Sequence, residues 1–262
     1  MSHPIITLTT DFGHVDAYVG IMKGVILGIC PNAVLVDLCH EVRPQAILQA
    51  AYLLSTSHAF FPAHTVHLAV VDPGVGSPRR AIALQTESAF FVAPDNGILS
   101  PILSTQTIRK AVELSNPSFH LPKGSSTFHG RDIFAPVAAH LACGVSVEQM
   151  GQELSPASLV HMPLPEPHPL SDSLWMGEVI HIDRFGNLIT SFKAPLPGKV
   201  HSIQVGTLRV SPLDRTFSDV GPREPVIYLG SSGHLEIAFR DDSAADRIGV
   251  DLGAPVRLEV RP

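Results

Sequence analysis

The sequence predicts two parts of different class: an α/β domain with a largely parallel central sheet, then an antiparallel β-barrel. Three observations carry this expectation. Up to about residue 155, short β-branched runs alternate with stretches of helical spacing, the pattern of βαβ units. Beyond it lie short strand patterns separated by turns, with almost no helix among them. Between the two, residues 162–169 hold four prolines in eight positions. Proline fixes φ and lacks a backbone donor, so this stretch reads as a stiff linker. The expected boundaries are 1–162 for the α/β domain, 163–172 for the linker and 173–262 for the barrel.

The first domain reads in order as follows. Residues 5–10, Ile-Ile-Thr-Leu-Thr-Thr, read as a strand. Residues 17–29 have helical spacing, with Val19, Met22, Val25, Ile26 and Ile29 on one apolar face, and Pro31 ends them. A second strand spans 33–38. Pro44 fits the first turn of a helix over 46–55. Strands follow at 65–71, 81–86 and 89–93, then a turn at Pro94-Asp95-Asn96-Gly97. Residues 133–143 read as helix, with Pro136 near the start. The barrel strands are expected at 176–182, 188–191, 200–205, 207–210, 226–229, 235–239 and 256–260. No internal repeat is evident.

Composition narrows the function. The chain has 262 residues, of which 16% are charged, 45% are hydrophobic, and the net charge is −6. Typical domains carry ~25% charged residues, so surface hidden in an oligomer is expected. No Lys/Arg cluster exceeds two adjacent residues, which excludes nucleic-acid binding through phosphate neutralisation. No apolar run approaches the ~18–20 residues that span a bilayer. The start carries no basic region before an apolar core, so no signal peptide is expected. The three cysteines, Cys30, Cys39 and Cys143, form no C-x-x-C pair, which fits reduced thiols and a cytoplasmic setting.

Two strand ends break abruptly into an Asp and glycines: Thr9-Thr10-Asp11-Phe12-Gly13 and Val70-Val71-Asp72-Pro73-Gly74-Val75-Gly76. Open α/β sheets bind ligands just beyond the carboxyl ends of their strands. Asp11 can accept hydrogen bonds from vicinal hydroxyls such as those of a ribose. It also reads as a helix N-cap, a position Asp16 fits better. Asp72 reads either as a turn former or as a functional carboxylate within reach of Arg79 or Arg80. His129 lies in a third such segment, Thr127-Phe128-His129-Gly130-Arg131-Asp132, and reads as a base or as an exposed loop histidine. His40 beside Cys39 does not make a nucleophile pair, because nothing activates the thiol. In the second domain Asn187, within Asp183-Arg184-Phe185-Gly186-Asn187, can read an adenine-like edge, and Ser231-Ser232-Gly233 can hold a carboxylate. Both segments also read as hairpin turns.

In this order the segments TTDFG, DPGVG with a nearby Arg, FHGRD-FAP and DRFGNL-T resemble the S-adenosyl-L-methionine hydrolase family, which shares its fold with fluorinases and chlorinases. The resemblance runs from about residue 5 to 260. It implies water attack on ribose C5′ of S-adenosyl-L-methionine, giving adenosine and L-methionine, without cofactor or metal. It implies a homotrimer with interfacial sites and adenosine as a product that can be retained. It places the water-activating triad on Asp72, Arg79 and His129, with Arg80 a competing choice. It places the ribose carboxylate on Asp11 and the amine-binding residue on Asp183. Ser231 and Ser232 fall near the methionine carboxylate, and Asn187 and Phe217 at adenine contacts. Phe128, beside His129, joins the substrate-binding set. The halogenating relatives place an Arg where this chain has Ser232.

The chemistry suits these residue types. A sulfonium is already a good leaving group, so the missing ingredient is a base for water. Three rivals stand beside this reading. The first is halide transfer to the same substrate. Two negative charges at ~4 Å and an effective dielectric of ~20 repel by about 4 kcal/mol, so Asp72 opposes it unless it is protonated or its charge is cancelled by Arg79. The second is a metal hydrolase built on Asp11, Asp16, Asp72, Asp95 and His129, which no tight ligand spacing supports. The third is a non-catalytic sensor of S-adenosyl-L-methionine or adenosine.

Overall fold

A computed structural model describes residues 3–122, 124–211 and 216–261. The chain divides into two compact units, the first ending at Leu164 and the second beginning at Pro165.

The first unit is built on strands β1 (Ile5–Thr10), β2 (Val34–Cys39), β3 (Thr65–Val70), β4 (Ala81–Gln85), β5 (Ala89–Pro94) and β6 (Lys110–Glu113), with helices α1 (Tyr18–Ile29), α2 (Ile47–Ser57), α3 (Ser100–Thr105) and α4 (Ala135–Ala142). The sheet order is β2-β1-β3-β5-β4-β6. The pairs β1–β2, β1–β3 and β3–β5 are parallel, whereas β4 pairs antiparallel with β5 and β6. Strand β3 is buried along its whole length, as a strand covered on both faces must be. Val66, Leu68 and Val70 face a core with α1 and α4, and Ala69 and Val71 face a second core with α2. Because β1, β2, β3 and β5 run the same way, their carboxyl ends form one edge. Asp11, His40, Asp72 and Asp95 all lie just beyond it.

Local expectations shift in four places. Asp16 does not cap α1: the cap is Ala17, with no side-chain hydrogen bond, and Asp16 is exposed. Pro44 lies in a turn before α2 rather than in its first turn, and Gln45 beside it has φ 67°. The helix expected from 133 is preceded by a π-helical turn, Gly130–Phe134, which widens the backbone directly after His129. Helix α3 and strand β6 have no counterpart in the sequence reading. Both are short, and tertiary packing rather than periodicity defines them.

The second unit contains β7 (His168–Pro169), β8 (Leu174–Ile182), β9 (Leu188–Lys193), β10 (Lys199–Val205), β11 (Leu208–Val210), β12 (Pro225–Leu229), β13 (His234–Phe239), α5 (Ala244–Ile248) and β14 (Pro255–Arg261). The order is β11-β10-β14-β8-β9-β13-β12, antiparallel throughout, and β11 comes against β12 to give a nearly closed barrel. Alternate residues such as Val256, Leu258 and Val260 fill its core. The proline-rich stretch read as linker contributes β7, which pairs with β8. Pro169 lies in this short strand, a place that an edge strand tolerates.

Candidate active site

The turn after β3 brings Asp72 and Arg79 together. Val75 N donates to Asp72 O at 3.2 Å and Ser77 N to Gly74 O at 3.0 Å, so the loop doubles back. Gly76 has φ +79°, and a Cβ there would lie 2.8 Å from the Ser126 carbonyl oxygen, so only glycine fits this approach of the two loops. Arg79 Nε donates to both Asp72 oxygens at 3.0 Å, and its Nη2 reaches Oδ2 as well. The side chains of Arg79 and Asp72 are only 10% and 6% exposed. Nη2 also donates to His129 Nδ1 at 2.8 Å. Arg80 is not the partner: it pairs with Asp95 and reaches the Ser158 carbonyl. Asp95 in turn accepts from Val160 N at 2.8 Å. Asn96 Nδ2 donates to Val71 O at 2.9 Å and braces the residue before Asp72.

This geometry sets proton positions. Burial, then the Arg79 charge, push His129 below its ordinary value, with Asp72 and Asp132 pulling the other way. A neutral imidazole that accepts at Nδ1 carries its proton on Nε2. The His129 loop is anchored by buried Asp132, which accepts from Arg131 Nε at 2.6 Å and from Ser125 N at 2.5 Å. The Asp72–Arg79 pair is neutral overall. The guanidinium beside Asp72 is the charge cancellation that halide transfer at this carboxylate would need.

Asp11 leaves the strand adjacent to that of Asp72, since Thr10 pairs with Val70. Its Oδ2 accepts from Gln45 N at 2.8 Å. Phe12, Tyr18 and Phe128 form an aromatic cluster beside it, with ring centroids 5.1 to 6.0 Å apart. Gly130 lies against this cluster, where a Cβ would meet Phe128 at 3.2 Å and Phe12 at 3.4 Å. Among the described residues, no three or more His, Cys, Asp or Glu side chains gather as a metal site. Asp72 and Asp95 are each taken by an arginine.

In the second unit Asp183 closes the β8–β9 turn. Its Oδ1 accepts from Phe185 N and Asn187 N, both at 2.9 Å, and its Oδ2 from Asn187 Nδ2 at 2.8 Å. Asn187 is buried, so its amide donor serves this turn. Phe217 packs on Tyr228 at 5.1 Å, and the Tyr228 hydroxyl donates to Glu236 Oε2 at 2.8 Å. Burial, and to a lesser degree the Asp183 charge, raise the Glu236 carboxyl above its ordinary range despite that hydrogen bond. Ser231 and Ser232 form the β12–β13 turn, whose Gly230 packs directly on the Glu236 carboxylate. Phe217 and the serine turn thus gather around Tyr228 and Glu236, with Asp183 close enough for its charge to act on both.

Sequence reasoning missed Phe12, Tyr18, Gln45, Asn96, Tyr228 and Glu236. Asn96 carried a usable signal, a polar turn just past a strand parallel to β3. The others became visible only through packing.

An acid–arginine–histidine cluster at the carboxyl edge of a mostly parallel sheet, on a chain that ends in a β-barrel, defines a hydrolase or transferase acting on a polar small molecule. Similarity to known proteins narrows that class. The SAM hydroxide adenosyltransferase N-terminal domain matches residues 6–151, and the C-terminal domain of the same family matches 177–257. The chain belongs to the SAM hydroxide adenosyltransferase family. It is 42% identical to an (R)-S-adenosyl-L-methionine hydrolase of Thermus thermophilus, over 95% of this chain and 97% of the relative. It is 39% identical to one of Salinispora tropica, over 97% of each. A fluorinase of Actinoplanes sp. is more distant, 30% identical over 90% of this chain and 91% of that protein. The crystal structure of an uncharacterized conserved protein from Thermotoga maritima matches with a TM-score of 0.90 at 35% identity, over 98% of this chain and all of the other.

Proposed function

We infer that this chain hydrolyses S-adenosyl-L-methionine to adenosine and L-methionine by attack of water on ribose C5′. The observation that carries the reading is the joint hold of Arg79 on Asp72 and His129, in a family whose relatives at about 40% identity bear the name of that activity. Asp72 is the base that takes the proton of the attacking water. Arg79 orients Asp72 and stabilises the developing hydroxide, and His129 holds the guanidinium at Nη2, the nitrogen that also meets Asp72. No general acid is required, because thioether departure from a sulfonium needs no proton. Alignment of water, C5′ and sulfur supplies the rest of the acceleration.

Asp11 binds the ribose hydroxyls, and Phe128 lines the same edge. Asp183 binds the ammonium group. Asn187 and Phe217 contact adenine, and Ser231 and Ser232 meet the methionine carboxylate. The reaction uses neither cofactor nor metal, and the enzyme acts in the cytoplasm. Among the described residues no helix is long and apolar enough to cross a membrane. The α/β domain spans 1–162 and the barrel 173–262. The protein is a homotrimer in which the barrel of one subunit completes the site of the next, and adenosine is a product that can be retained. In support, Val15 beside the Asp11 turn is 99% exposed and Phe185 in the Asp183 turn is 77% exposed, large apolar groups at the loops such an assembly would join.

The test is a chromatographic assay of purified protein with S-adenosyl-L-methionine, scored for adenosine and methionine. Parallel reactions contain chloride or fluoride. Stoichiometric adenosine and methionine are expected. Formation of 5′-halo-adenosine would shift the assignment to halide transfer, and ligand binding without turnover would leave a sensor.

A further inference from the structure

Among the described residues, three hydrogen bonds join the turn that carries Asp11 to its surroundings. Phe12 N donates to Thr10 Oγ1 at 3.3 Å, Gly13 N to the His40 carbonyl at 2.8 Å, and Gln45 N to Asp11 Oδ2 at 2.8 Å. Two of the three run through His40. Its ring has no solvent exposure and lies between two partners. Nδ1 is 2.8 Å from Thr10 Oγ1, and Nε2 is 2.9 Å from Asp37 Oδ1. Lys23 Nζ donates to the other Asp37 oxygen at 2.6 Å.

The roles of these atoms follow from what each can do. Asp37, ionised and held by Lys23, only accepts, so His40 carries its proton on Nε2. Nδ1 then accepts, and the Thr10 hydroxyl donates to it. That orientation leaves a Thr10 lone pair facing the Phe12 N–H. The chain of donors therefore has one direction at its Thr10 end, with Phe12 N–H donating to Thr10 and Thr10 to His40, and His40 donates in turn to Asp37. Burial, which lowers the affinity of His40 for a second proton more than Asp37 raises it, keeps the ring in this neutral form; His14 and Lys23 act the same way as burial. A bulge in β2 makes the arrangement possible. Leu8 pairs with Asp37 but Thr9 with Cys39, so Leu38 is the extra residue. Without it, Asp37 and His40, three positions apart, would point to opposite faces of the strand.

We infer that His40 is a positioning residue for substrate binding. Through Thr10 and through its own carbonyl it fixes the Asp11 turn, so that the Asp11 carboxylate meets the ribose hydroxyls without reordering. The inference rests on Asp11 as the ribose-binding group. It predicts an effect on affinity and little on the chemical step, because neither His40 nor Thr10 reaches Asp72, Arg79 or His129 in the hydrogen bonds described.

Thr10→Val tests it with little change of shape, since Thr10 is fully buried and valine keeps its outline. Steady-state kinetics with S-adenosyl-L-methionine should show KM raised about tenfold, the loss of one net hydrogen bond, with kcat within about threefold of wild type. Thr10→Ser, which keeps the hydroxyl, should restore KM. In an Asp11→Asn background, Thr10→Val should add less than about twofold, because the group it positions is already impaired. His40→Gln, which retains an N–H toward Asp37, gives the same comparison if Thr10→Val does not fold. Thermal melting and near-ultraviolet circular dichroism establish that each variant is folded. An unchanged KM in folded Thr10→Val, or a full tenfold loss on top of Asp11→Asn, overturns the inference. A wild-type protein that forms no adenosine overturns the hydrolase reading instead, so the two failures are distinguishable.

Discussion

Replacing Asp72 by Ala should damage stability and catalysis through separate routes, and a second substitution separates them. The Arg79 guanidinium is 10% exposed and donates to both Asp72 oxygens. Removing Asp72 leaves that charge buried with His129 Nδ1 as its remaining side-chain acceptor among the described residues. Breaking a buried pair from one side costs about 3–5 kcal/mol, which lowers Tm by about 6–20 °C in a protein of this size. Loss of a general base independently lowers kcat about 10²–10⁴-fold. Adding Arg79→Met removes the orphaned charge and keeps an apolar stem near the Phe134 ring, over which Arg79 Cζ sits at 5.3 Å. The double variant should regain most of the lost Tm, because replacing both partners of a buried pair is close to neutral. Its adenosine formation should stay at the level of Asp72→Ala. Calorimetry and the chromatographic assay on the same preparations read both quantities. If the double variant recovers activity together with Tm, Asp72 is structural and the mechanism is wrong.

Asp11→Ala should raise KM about 10–150-fold for each hydrogen bond to a ribose hydroxyl that it removes. A deoxyribose analogue should lose much less than the ribose substrate, and equal losses would make Asp11 structural. Gly76→Ala forces a side chain into φ +79° and to 2.8 Å from Ser126 O; melting should drop by several degrees and kcat should fall, and unchanged kinetics would mean that the two loops need not meet. His67 is buried among Phe91, Phe61 and His58, and burial pushes its pKa down to about 3. The unfolded chain therefore takes up the proton first, so stability is intact above pH ~6.5 and falls progressively toward pH ~3, by on the order of 4–5 kcal/mol. Urea unfolding of His67→Leu across this window should show a flatter pH dependence, and an identical slope would assign the acid loss to other groups. Asp72→Ala and Asp183→Ala proteins, dissociated and reassembled together, should regain part of the activity if one subunit's barrel completes another's site. Tagged chains that co-purify yet stay inactive would refute shared sites.

The fold class was legible in the sequence because it depends on local pattern. The β-branched runs at 5–10 and 65–71, the apolar face on Val19, Met22 and Ile26, and the closely spaced strand patterns after residue 170 specify which faces must be buried. Burial on those faces leaves few architectures. The candidate site was legible for a related reason: Asp11 and Asp72 follow apolar strands directly, and parallel strands collect their carboxyl ends on one edge. Partner choice was not legible. Arg79 and Arg80 are adjacent and chemically identical, and only the doubled-back loop through Gly74 and Gly76 sends the first to Asp72 and the second to Asp95. His40 read as a bystander until the Leu38 bulge placed it on the same face as Asp37. Strand β6 and the pairing of β7 depended equally on segments far away in the chain or outside any periodic pattern. Periodicity reports the environment of a residue, whereas its partners depend on loop closure between distant segments, which no local pattern encodes.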